Sequence, residues 1–100
     1  MLAALAAVAV GMGPSERDYR LTIRDVPGTS IALRAQMPQG WIAAFCTPKV
    51  CAPGHVVVNV PANGRTTIAL HVYRVEAAAV HHANVSVSAP GTQLSLPVDI

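Results

Sequence analysis

The feature that most constrains this chain is the strict alternation of apolar and polar residues from Asp18 onward. Tyr19, Leu21 and Ile23 alternate with Arg20, Thr22 and Arg24, and Ile31, Leu33 and Ala35 with Ala32, Arg34 and Gln36. Trp41, Ala43 and Phe45 share one face of the next run. Residues 56–60 form a β-branched run broken only by Asn59. Ile68, Leu70 and Val72 alternate with Thr67, Ala69, His71 and Tyr73. Val85 and Val87 alternate with Asn84, Ser86 and Ser88, and Leu94, Leu96 and Val98 with Gln93, Ser95, Pro97 and Asp99. A period of two sends successive side chains to opposite faces of a strand, whereas a helix needs a period near 3.6.

Seven short strands follow. Between them stand Pro27-Gly28, Pro38-Gln39-Gly40, Pro53-Gly54, Pro61-Ala62-Asn63-Gly64 and Pro90-Gly91. Glycine supplies positive φ and proline fixes its own φ, so these segments punctuate strands. Asn63-Gly64 is the sharpest hairpin signal and predicts that residues 56–60 fold back onto 66–73. Residues 75–82 do not alternate; they read as a crossover with a helical turn, too short for an independent helix. Pro97 lacks a backbone donor, which puts the last strand at a sheet edge or its proline at a non-bonding position. The expected class is all-β, an antiparallel two-sheet sandwich of immunoglobulin-like type with about seven strands, a small barrel being the other arrangement. Trp41, Phe45, Leu33, Ile68, Leu70, Val72, Val85 and Val87 are the expected core.

At 100 residues the chain holds one such domain. Charged residues are 12% and hydrophobic ones 52%, which argues against disorder. The net charge of +2 comes without a basic run, which disfavours a nucleic-acid partner. The first 13 residues carry no charge, and residues 2–10 are continuously apolar. Nine helical residues rise about 14 Å, against a hydrocarbon core of about 30 Å, so the run cannot span a bilayer as a helix. It reads as a signal peptide or apolar leader over residues 1–11, cut after Ala9 or Gly11 and followed by a domain over 12–100. A basic start is missing, since Met1 runs directly into Leu2. The expected location is secreted, periplasmic or cell-surface.

Cys46 and Cys51 have four residues between them in FCTPKVC. In an oxidising compartment such a pair forms a disulfide by default. A redox pair would have the closer C-x-x-C spacing, and a zinc site would need two further ligands, with His55 and a distant histidine as the available ones. The run FCTPKVCAPGH differs from a cupredoxin copper loop, because Lys49 stands at the histidine position and the nearest methionine, Met37, lies upstream. His55, His71, His81 and His82 read as exposed histidines and as the candidate metal ligands. No phosphate loop, nucleophile elbow or H-e-x-x-H motif occurs, and Glu16, Asp18, Asp25, Glu76 and Asp99 form no recognisable acid–base pair. The chain reads as a non-enzyme without cofactor or evident small-molecule substrate. Asn84-Val85-Ser86 is a formal glycosylation sequon.

The segments MPQGWIAAFC and VVVNVPANGRTTIALHV carry a resemblance. Pro38, Gly40 and Trp41, then Asn63-Gly64 and residues 66–72, are similar to the bacterial immunoglobulin-like domains of secreted and cell-surface proteins, of the type appended to glycosidases. The resemblance spans about residues 30–90 and implies a binding, adhesion or spacer module with a protein or cell-surface partner and no catalytic residues. Edge strands and the apolar residue 56–60 run are features that can support self-association or pairing with a partner strand. A periplasmic metal-binding protein using His55, His81 or His82 with Met or Cys is the alternative.

Overall fold

The computed structural model describes residues 3–75 and 80–100. They form nine strands and no helix: β1 (Ala4–Gly13), β2 (Glu16–Arg24), β3 (Ser30–Gln36), β4 (Trp41–Cys46), β5 (Cys51–Pro53), β6 (His55–Asn59), β7 (Arg65–Arg74), β8 (His82–Ala89) and β9 (Thr92–Asp99). Two antiparallel sheets result, one ordered β1-β2-β7-β4-β5 and the other β6-β3-β8-β9. All seven strands expected from alternation are present. The two additional strands are β1, which starts within the residues read as a leader and runs two residues past them, and β5, which is only three residues long.

The inward faces of both sheets meet in one core. The first sheet contributes Leu21, Ile23, Trp41, Ala43, Phe45, Ile68, Leu70 and Val72, and the second Ile31, Leu33, Val56, Val58, Val85, Val87, Leu96 and Val98. Every core residue expected from the sequence is buried. The side chain of Trp41 is anchored as well as buried, its Nε1 donating to the carbonyl of Val80 at 2.9 Å. An indole needs such an acceptor once it leaves water.

Strand composition matches strand position. β7 occupies the centre of the larger sheet with ten residues, no glycine and no proline, so it can pair along both edges. Pro97 falls in β9, an outer strand of the smaller sheet. β1 carries a register shift between Ala9 and Gly11 and lies at the outer edge.

The hairpin expected at Asn63-Gly64 does not form. β6 pairs with β3 in one sheet, whereas β7 pairs with β2 and β4 in the other. The turn at 61–64 carries the chain between sheets. Gly64 N donates to the Pro61 carbonyl at 2.9 Å, and the Asn63 side chain accepts from Arg65 N at 3.1 Å. Asn-Gly thus specifies a local reversal, while the partner of each strand is set by which sheet buries its apolar face. The stretch 75–82 links β7 to β8 across the sheets, and its interior, residues 76–79, lies outside the described residues, as do residues 1–2 of the leader segment.

Candidate functional site on the outer face of the larger sheet

Antiparallel pairing of β2 with β7 sets Glu16 opposite Tyr73 and Asp18 opposite His71. Residues two apart share a face, so all four side chains stand together on the outside of the sheet. Asp18 Oδ1 lies 2.6 Å from His71 Nδ1, and Glu16 Oε2 lies 3.8 Å from the same nitrogen. The neighbouring strands bring no charge: Gly11 and Gly13 of β1 flank the carboxylates, and Ile42 and Ala44 of β4 flank Tyr73 and His71. The rings of His71 and Tyr73 tilt toward one another with centroids 6.3 Å apart.

The two carboxyls are shifted in opposite directions. A hydrogen bond with Asp18 pushes the Glu16 pKa up, aided by desolvation and by the Asp18 charge. The same bond, together with the one from His71, holds the Asp18 pKa down. The shared bond thus moves the two carboxyls in opposite directions, Glu16 toward holding a proton more tightly and Asp18 toward releasing it more easily. Desolvation first, then the charge of Glu16, raises the Tyr73 phenol. Chemically the arrangement can share a proton between two acids, or hold a cation between two oxygens and an imidazole nitrogen.

A cleft of about 380 Å³ opens beside the cluster, lined by Met12, Gly13, Pro14, Ser15, Glu16, Asp18 and Tyr73. Gly11 makes close packing over Asp18 possible, since a Cβ there would stand 3.1 Å from Asp18 Oδ2. The sequence offers Glu16 and Asp18 as an E-x-D pair on one strand face and His71 and Tyr73 as an H-x-Y pair on another. What alternation alone could not supply was the register that sets the two pairs opposite.

The other candidate residues lie apart. His55 is exposed on β6, in the other sheet. His81 Nδ1 approaches the carbonyl oxygen of Ile100 at 3.2 Å, and His82 Nδ1 lies 3.5 Å from Asp99 Oδ1 with both side chains largely in water. Cys46 and Cys51 form a disulfide between facing residues of β4 and β5, so neither sulfur offers a thiolate. Of the four histidines, only His71 joins a three-residue ligand set among the described residues. Compared with known protein families and with curated proteins, the chain matches none.

Proposed function

We propose that this chain is a non-catalytic, exported immunoglobulin-like β-sandwich module that works by assembly, with a second copy of itself as partner and the free edge of β1 as the contact. One observation carries this reading. β1 is a ten-residue strand without a charge, at the outside of the larger sheet, and Val8, Val10 and Met12 along it are 60%, 52% and 78% exposed. An apolar edge strand presents unpaired backbone groups to any strand that can add to it. A two-fold contact must be self-complementary, and an uncharged strand opposes no like charges when it meets its own copy. The bulge at Ala9/Gly11 confines the straight, pairable stretch to residues 4–9.

The apolar residue 56–60 run supports assembly less well. β6 is an edge strand, but Val56, Val58 and Val60 are buried in the core and only Val57 points outward. The Cys46–Cys51 bridge supports export, because disulfides persist in oxidising compartments.

The test is light scattering behind size exclusion on the full chain and on an Ala6→Lys/Val8→Lys variant. Both residues face outward opposite Thr22 and Arg20, so the charges leave the core intact. The expected result is a dimer that becomes a monomer in the variant with an unchanged circular dichroism spectrum. A wild-type monomer at the highest concentration reached overturns the reading. So does an intact mass of native-source protein cut after Ala9 or Gly11, since that cut removes the contact edge.

A further inference from the structure

We propose that Glu16, Asp18 and His71 form a binding site for a divalent transition-metal ion of the zinc class. The site is independent of the β1 contact and uses neither the cysteines nor the other histidines.

Three features lead there. First, the ligand set mixes an imidazole nitrogen with two carboxylate oxygens, all within 4.8 Å of one another. Imidazole selects for borderline ions over magnesium or calcium, and zinc accepts nitrogen and carboxylate oxygen together. Second, the spacing suits the ion. A tetrahedral zinc with bonds of about 2.0–2.1 Å holds its ligand atoms about 3.3 Å apart. The separations from His71 Nδ1 are 2.6 Å to Asp18 and 3.8 Å to Glu16, on either side of that value. A shift of less than an ångström in each side chain reaches it. Third, there is room for the remaining coordination. The cleft beside Glu16 and Asp18 is open to solvent and can admit a water as fourth ligand.

No fixed positive charge from β1 or β4 competes for the carboxylates, because Gly11, Gly13, Ile42 and Ala44 are the flanking residues. Arg17, the nearest guanidinium in sequence, is occupied with the carbonyl oxygens of Gly13 and Glu16, each at 2.8 Å. An ion needs an unprotonated ligand atom from each of the three residues, so it competes with protons for the site. With β2 and β7 both contributing ligands, the bound ion also clamps the two strands together.

Isothermal titration of the full, untagged chain with zinc chloride tests the site, with Asp18→Asn, His71→Gln and His82→Gln in parallel. The expected outcome is one ion per chain, an affinity that falls at least roughly tenfold in D18N and in H71Q, and no change in H82Q. Zinc should raise the melting temperature of the wild type and of H82Q alone, and circular dichroism of each variant reports whether it has folded. Absence of heat overturns the proposal. So does zinc binding that survives in both D18N and H71Q, or calcium binding in place of zinc. The oligomeric state of β1 variants is read separately, so failure of either proposal leaves the other standing or falling on its own result.

Discussion

Gly64 shows how much a single residue decides in this fold. Its φ is +75°, and its carbonyl accepts from Asp25 N at 3.1 Å, tying the turn after β6 to the end of β2. A Cβ here would lie 3.2 Å from the backbone oxygen of Asp25, which cannot move without disturbing that tie. Gly54 has a similar φ of +80°, yet a Cβ there meets nothing within 4 Å. The two glycines separate backbone preference from crowding. Gly54→Ala carries only the left-handed penalty, about 1–2 kcal/mol, whereas Gly64→Ala adds a steric clash for a total of about 2–3 kcal/mol. Urea unfolding of the two variants side by side should show the larger midpoint loss in G64A. Equal losses would mean that the Asp25 contact yields without cost.

At the scale of elements, alternation reveals a strand and its buried face but not its neighbour. The inward set Ile68, Leu70 and Val72 was readable because every second residue of β7 is apolar, and so was the edge position of β9, because Pro97 has no donor to give. The placement of β6 and β7 in different sheets was not readable, since Asn63-Gly64 encodes a reversal equally well within a sheet or between sheets. β1 is illegible as a strand for a different reason. A short uncharged run of Ala, Leu and Val fits a leader and a strand alike, and its alternation is weak when alanine occupies both faces. The Glu16–Asp18–His71 group needed the β2–β7 register, which joins residues 53 apart in sequence. β5 is the weakest element, with three residue pairs to β4 and the Cys46–Cys51 bridge closing it. The chain-entropy model assigns a loop this short about 2 kcal/mol. A Cys46→Ser/Cys51→Ser variant should therefore lose about that much in urea unfolding while keeping its strand signal in circular dichroism. Loss of the folded state altogether would show that β5 supports the sheet more than its length implies.

For the whole molecule, the two strand orders determine how the chain can fold. Among the described residues, only β1–β2, β4–β5 and β8–β9 are both adjacent in sequence and paired. Every other pairing joins strands separated by at least one intervening strand, and the chain crosses between sheets on leaving β2, β3, β5, β6 and β7. Leu70, fully buried at the middle of the central strand, is opposed by Tyr19 on one side and Phe45 on the other. Its neighbours are thus in place only after two long loops have closed, and the entropy of closing them is spent before the contacts form. Such topologies fold in milliseconds to seconds, whereas local-contact proteins fold in microseconds. Stopped-flow refolding with the disulfide intact should accordingly show a main phase in the millisecond-to-second range. Leu70→Ala should slow that phase, because β7 joins both halves of the larger sheet, while Val98→Ala on the outer strand β9 should mainly speed unfolding. A microsecond main phase, or an L70A effect confined to unfolding, would place the rate-limiting step in the local hairpins instead of in the assembly of β2, β7 and β4.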